Sequence, residues 1–163
     1  MVNKKVVLLA GAAILLGGLL AYQLTGAKPD SPAWALQPEN AEVVAAGKGL
    51  YIAHCASCHG ESLEGQENWR QRLASGRLPA PPHDETGHTW HHDDEALFNV
   101  TKHGPQFVAG ADYQSDMPAF DGVISDADIV AVLSYIKSTW STKARATHDE
   151  INRRARVTRG QMN

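Results

Sequence analysis

The longest run of apolar residues lies at the start of the chain. Lys4 and Lys5 precede residues 6–24, which contain no charged side chain. As a helix this run would span roughly 28 Å, close to the ~30 Å hydrocarbon core of a bilayer. We therefore predict a transmembrane helix within residues 1–24, with the lysines on the cytoplasmic side. A cleaved signal peptide is the alternative, although residues 25–27 make a poor cleavage site.

The apolar run is followed by a segment rich in proline. Residues 25–38 contain Pro29, Pro32 and Pro38, and proline-rich segments act as extended spacers. They predict a linker between the membrane helix and a folded domain. Trp34 lies in this linker and is expected either at the membrane interface, where tryptophan is enriched, or against the folded domain.

Apolar residues return at helical spacing at both ends of the next stretch of about a hundred residues. The first helix is predicted over residues 41–54. The last helix opens with a capping box formed by Ser125 and Asp128, and its apolar positions continue to Trp140. A shorter helix is predicted over residues 93–102, because acidic residues occupy its first turn, where the helix dipole favours them.

A C-x-x-C-H motif follows the first predicted helix and consists of Cys55, Cys58 and His59. This spacing is the attachment signature of a c-type haem. Two thiols one helical turn apart can each form a thioether with a haem vinyl group, and His59 is then placed as the proximal iron ligand. A structural zinc site would need about four ligands, whereas the chain has two cysteines. A thioredoxin-like motif would occur in a βαβ context.

Met117 is the predicted second axial ligand. It precedes Pro118 in a loop, and proline keeps the preceding residue out of the α region. This favours an extended Met117 that reaches across a pocket to the iron. His/Met ligation is the arrangement that raises the potential of cytochromes c. One of five histidines could replace Met117 as the second haem ligand. Together they could instead form a copper or zinc site or be solvated side chains: His83, His88, His91, His92 and His103.

Trp69 and Arg70 are candidate partners of the haem propionates. A buried tryptophan usually needs an acceptor for its N–H group, and the guanidinium fork of arginine suits a carboxylate. Arg72 and Arg77 lie in the same stretch and are further candidates. The alternative is a packed tryptophan with solvated arginines.

With these motifs the chain resembles the class I cytochromes c, over roughly residues 40–140. The resemblance implies an all-α class I cytochrome c fold in residues 39–140, behind the predicted transmembrane helix. It implies one haem c, held covalently through Cys55 and Cys58 and ligated by His59 and Met117.

The same resemblance places further residues. Gly47 and Tyr51 are expected to cross Val132 and Tyr135 where the two terminal helices pack. A proline carbonyl is expected to accept the N–H group of the proximal histidine, and Pro81 is the candidate, with Pro79 and Pro82 as alternatives. Similar cytochromes often have leucine two residues after that proline, where this chain has His83.

Charge is distributed unevenly along the chain. Residues 39–140 contain six basic and fifteen acidic side chains, whereas residues 141–163 contain six basic and two acidic ones. The acidic domain argues against nucleic acid as a partner and favours docking on a basic protein surface. The basic extension is predicted to be helical over residues 147–159, opening at Thr147. It is expected to contact anionic lipid or a partner subunit, or to be disordered.

These observations predict a membrane-tethered electron carrier. By the family resemblance its haem domain lies in the bacterial periplasm, residues 6–24 cross the bilayer, and membrane redox proteins are its donor and acceptor. No small-molecule substrate is expected. Two alternatives are a haem c subunit fixed within a larger membrane oxidoreductase, and an enzyme such as a peroxidase, which would need an open sixth position on the iron.

Overall fold

The structure is a computed structural model that describes residues 32–160, and within that range it contains helices and loops but no β-strand. The predicted all-α class is therefore confirmed for these residues. From Ala33 onward the described residues form one compact unit. The predicted transmembrane helix over residues 6–24 lies outside the described residues. Between residues 32 and 160, no helix is long and apolar enough to cross a membrane.

Six α-helices and one short 3-10 helix make up this unit. The predicted first helix is confirmed at both ends, and the predicted short helix over residues 93–102 begins and ends within one residue of its prediction. The α-helices are α1 (Ala41–His54), α2 (Ala56–His59), α3 (Asp94–His103), α4 (Gln106–Ala109), α5 (Asp126–Ser138) and α6 (Thr142–Thr158), and the 3-10 helix is Thr89–His91.

Helix α5 supplies much of the core, and its start is fixed by the capping box expected from the sequence. The hydroxyl of Ser125 accepts from the N–H of Asp128, and the Asp128 carboxylate accepts from the N–H of Ser125. The apolar residues that recur at helical spacing up to Trp140 are buried: Ile129, Val132, Leu133, Ile136 and Trp140.

Helices α1 and α5 cross in close contact at Gly47. A Cβ atom placed on Gly47 would lie 1.9 Å from the backbone oxygen of Ala131, so only glycine allows this approach. One turn further along α1, the rings of Tyr51 and Tyr135 pack with their centroids 5.5 Å apart. This is the crossing of terminal helices that the sequence analysis expected.

The close approach gives a direct test of the fold. We expect Gly47→Ala to lower the free energy of unfolding by about 1–3 kcal/mol, the usual cost of overpacking a core. Gly49→Ala is the matched control, because Gly49 lies in the same helix with no atom within 4 Å of an added Cβ. It should stabilise the protein by about 0.5–1 kcal/mol through the higher helix propensity of alanine. Urea unfolding of both variants measures the difference, and equal effects would contradict the crossing.

Helix α6 begins earlier than the sequence indicated. The Ser141 hydroxyl caps it by accepting from the N–H of Ala144 at 3.3 Å, and the helix starts at Thr142. The predicted opening at Thr147 is wrong: that residue lies inside the helix and its hydroxyl donates to the backbone oxygen of Lys143. The sequence contains two plausible caps, and packing of the first turn selects the earlier one.

Helix α6 packs on the domain through buried polar side chains. Asp94 donates its N–H to the side-chain oxygen of Asn152 at 2.7 Å, and the Asn152 amide donates to the Asp94 carboxylate at 2.9 Å. His148 is fully buried and lies edge-on to the indole of Trp140, with ring centroids 5.1 Å apart. The basic extension is thus an ordered part of the compact unit up to residue 160.

Ion pairs within the unit use much of the positive charge of α6. Arg145 pairs with Glu39, Arg159 lies between Asp93 and Glu95, and Glu150 pairs with two neighbouring arginines on the same helix. These contacts balance the acidic domain locally.

The last residues of the predicted linker also belong to the compact unit. Trp34 and Leu36 pack against the hydrophobic core, which answers the question that the sequence left open for Trp34. The N–H group of Leu36 donates to the carboxylate of Asp94 at 3.0 Å, and that of Gln37 donates to the hydroxyl of Ser134 at 2.9 Å. The folded unit therefore begins before residue 39.

Candidate haem-binding site

The C-x-x-C-H motif forms one tight helical turn at the end of α1. The N–H group of Cys55 donates to the backbone oxygen of Tyr51 at 2.8 Å, and that of His59 donates to the backbone oxygen of Cys55 at 2.9 Å. The chain leaves the turn at Gly60, whose φ of 82° is favourable for glycine alone. This local geometry groups both thiols and the imidazole on one short segment.

Both cysteines are free thiols, with Cys55 partly buried and Cys58 exposed. Burial, with a smaller contribution from Cys58, raises the pKa of the Cys55 thiol to about 11. Cys55 is therefore protonated at neutral pH, unlike the low-pKa thiols of disulfide oxidoreductases. This argues against thiol–disulfide exchange and is compatible with a cysteine that serves as an attachment point.

His59 is buried, at 7% exposure, and its Nδ1 atom lies 2.8 Å from the backbone oxygen of Pro81. A carbonyl can only accept, so Nδ1 carries the proton and Nε2 has a free lone pair. Burial lowers the pKa of His59, and the hydrogen bond to Pro81 opposes this in part. The ring is neutral at pH 7 and is oriented as a metal-ligating histidine usually is, by a carbonyl acceptor on its other nitrogen. Among the three prolines considered, Pro81 makes this contact.

His83 packs directly on the ring of His59, a contact that the sequence analysis did not anticipate. The two ring centroids are 4.0 Å apart and the planes differ by 22°. Burial lowers the pKa of His83 well below its ordinary value, and the neighbouring His59 and His88 add to the effect. The one signal in the sequence was the position of His83, two residues after the proline that contacts His59.

Met117 is partly buried in the loop between α4 and α5. The loop is anchored to the end of α3, where the N–H groups of Phe120 and Asp121 donate to the backbone oxygen of Lys102 at 3.1 and 2.9 Å. Asp116, next to Met117, forms an ion pair with Arg77, which lies in the segment after the C-x-x-C-H motif. The loop with Met117 is thus connected to the segment that follows the C-x-x-C-H motif, while ligation by Met117 stays a prediction.

Trp69 and Arg70 lie against each other on the surface. The Arg70 guanidinium carbon is 4.3 Å from the indole centroid, within the range of a cation–π contact. A second partner of the indole is His88, whose ring stacks at 5.4 Å with an interplanar angle of 14°. The other two candidate arginines have different partners. Arg72 donates to the backbone oxygen of Gly76, and Arg77 pairs with Asp116. The role of Trp69 and Arg70 as propionate partners stays a prediction.

The five histidines do not converge on a common centre. His91 packs on Trp90, with ring centroids 3.7 Å apart, and His103 packs on Phe107 at 4.8 Å. His88 lies between Trp69 and His92. Between residues 32 and 160, no group of three or more His, Cys, Asp or Glu side chains is placed to hold a metal ion. The copper or zinc interpretation therefore gains no support from the described residues.

The donor set fits haem c. Two thiols and a neutral imidazole with a free Nε2 atom lie in one turn, and a carbonyl orients the imidazole. In an all-α domain these features define a c-type cytochrome. The chain belongs to the family described as cytochrome c oxidase, cbb3-type, subunit III, whose family model matches residues 42–136.

The chain is similar to oxidase subunits of the bacterium Helicobacter pylori. The cbb3-type cytochrome c oxidase subunit CcoP of Helicobacter pylori strain 26695 is 26% identical over 111 residues, covering 68% of this chain and 32% of that protein. The corresponding subunit of strain 52 is also 26% identical over 111 residues, covering 68% of this chain and 31% of that protein. The chain thus matches about a third of the length of these relatives. No solved structure matches the chain significantly.

Proposed function

We propose that this chain transfers single electrons through one haem c, attached to Cys55 and Cys58 by thioethers and ligated by His59 and Met117. The observation that carries the proposal is the hydrogen bond between His59 and Pro81 within the C-x-x-C-H turn. It places the proton on Nδ1 and leaves Nε2 available to a metal, while burial of the ring lowers its pKa and favours the neutral form. When bound, the haem supplies the one-electron chemistry, and the protein residues set its orientation and potential.

Ligation of the iron by two side chains would favour electron transfer over catalysis. In this proposal the imidazole of His59 and the thioether of Met117 would hold the haem, which would then supply one-electron transfer instead of the binding of oxygen or peroxide. Histidine–methionine ligation raises the potential of a haem. The protein is on this basis an electron carrier rather than a peroxidase.

The comparisons favour a subunit of a larger membrane oxidase over the independent tethered carrier that the sequence analysis placed first. The family and the Helicobacter relatives are both named as subunits of a cbb3-type cytochrome c oxidase. We therefore propose that the haem domain faces the periplasm, that residues 6–24 anchor it in the cytoplasmic membrane, and that its redox partners are membrane proteins of the same complex. Nucleic acid has no place in this proposal, because residues 39–140 are strongly acidic.

Extraction of the full-length chain from membranes in a mild detergent distinguishes the two settings. A subunit is expected to elute in gel filtration as a large species together with other redox-active polypeptides, because obligate interfaces survive dilution. The fraction containing the chain is detected by covalent haem staining. A chain that retains its haem but elutes alone would contradict the subunit proposal and support the independent carrier.

A further inference from the structure

His83 is held rigidly at both its backbone and its ring. Its N–H group donates to the backbone oxygen of Leu63 at 2.8 Å, and its backbone oxygen accepts from the indole N–H of Trp140 at 2.8 Å. Its ring nitrogen Nδ1 lies 2.9 Å from the hydroxyl of Thr89. These three contacts come from three separate segments of the chain, so that the position of the ring is determined by the fold.

This fixed ring lies flat on His59. With centroids 4.0 Å apart and planes within 22° of each other, the two imidazoles are in stacking contact. The hydrogen bond to Pro81 restrains the His59 ring at one atom, Nδ1. A flat surface against the face of the ring adds a second restraint, which acts on the ring plane as a whole.

The stacking also decides which role His83 can have. If His59 held the iron of a haem, a ring stacked on His59 would lie beside that imidazole and would not face the iron. His83 is therefore unsuited to bis-histidine ligation. Its stacking on His59 depends on a flat ring, which an aliphatic side chain would not supply.

We propose that His83 is a positioning residue, which fixes the ring plane of the proximal ligand His59 by stacking on it. This inference rests on the proposed function, since it requires His59 to be an iron ligand. The ring plane of an axial imidazole determines the splitting of the iron d orbitals, and so the g values of a low-spin ferric haem. His83 thereby contributes to the electronic state of the site without binding the metal.

Electron paramagnetic resonance of the oxidised, full-length holoprotein tests this role. His83→Leu replaces the imidazole with an apolar side chain of similar volume. Because the flat ring is removed, we expect shifted and broadened g values. His83→Phe restores a flat ring without its nitrogens and should retain a single set of g values close to the native one. His91→Leu is the matched control, because His91 is exposed and packs on Trp90 rather than on His59. Its g values should be native.

Two outcomes would overturn the inference. One is a native spectrum for His83→Leu, and the other is an equal change in the leucine and phenylalanine variants, which would indicate general packing instead of stacking. If His83→Leu does not fold, His83→Met replaces it, because methionine also lacks a ring and its flexible side chain fills irregular gaps in a core. It should broaden the g values, and a native spectrum would again contradict the role.

The native protein separates this inference from the proposed function. A native chain that binds no covalent haem would refute both. A native chain with a low-spin haem, together with a His83→Leu variant whose g values are unchanged, would refute the positioning role alone.

Discussion

The double variant Cys55→Ala, Cys58→Ala is expected to lose covalent haem completely. Each thioether needs one thiol, and the chain contains no other cysteine. We also expect the yield of folded protein to fall sharply, because the apolar surface that a haem would cover stays exposed to water. Haem staining on a denaturing gel measures the attachment directly, since only covalently bound haem survives denaturation.

Ser57→Ala is the control for this experiment. Ser57 is exposed and lies between the two cysteines in the same turn. Its replacement with alanine keeps the helical turn and both thiols. It should stain as strongly as the native chain. A stained band from the double alanine variant would show that the haem is attached elsewhere or that the C-x-x-C-H turn has another role.

Replacing Met117 with histidine is expected to lower the reduction potential by a substantial fraction of the ~0.8 V that axial ligands control across proteins. A thioether is a soft, neutral ligand that favours ferrous iron, whereas imidazole is a stronger donor that favours ferric iron. The haem should stay six-coordinate and low-spin. Redox titration followed by visible spectroscopy measures both properties.

Two further variants sharpen the test of Met117. Met117→Ala should open the sixth position, so that added cyanide or imidazole binds at neutral pH, while the native protein binds neither readily. Gln114→His adds an imidazole to the same loop at an exposed position and keeps the thioether, so it should leave the potential unchanged. An unaltered potential and spectrum in both Met117 variants would remove this residue as ligand and bring His88, His91, His92 or His103 into consideration.

Local signals in the sequence predicted the two helices that position the site. The ends of α1 and the capping box of α5 depend on residues within one or two turns of each other, as with Ser125 and Asp128. The crossing at Gly47 was predicted through the family resemblance and not from the helix itself. The need for glycine there comes from the contact with a second helix, which the sequence around Gly47 does not show. The turn of the C-x-x-C-H motif is local in the same sense.

Contacts between distant segments were not predictable in this way. The docking of α6 depends on Asn152 and Asp94, which are 58 residues apart, and nothing in the helical pattern of α6 indicates that polar side chains would attach it to the domain. The stacking of His83 on His59 arises because the segment after the motif folds back on α2, bringing the Pro81 carbonyl to one nitrogen of His59. The sequence shows histidine at position 83 where similar cytochromes often have leucine, but it does not show that the ring lies on His59.

The central claim is that the chain binds one haem covalently at the C-x-x-C-H turn, and the haem content of the purified native chain tests it most directly. The measurement is the ratio of haem to polypeptide, determined from the pyridine haemochrome spectrum after denaturation and acid–acetone extraction. We expect one haem per chain that resists extraction and shows the spectrum of a haem with both vinyl groups saturated. Haem that is extracted, or a ratio near zero, would contradict it.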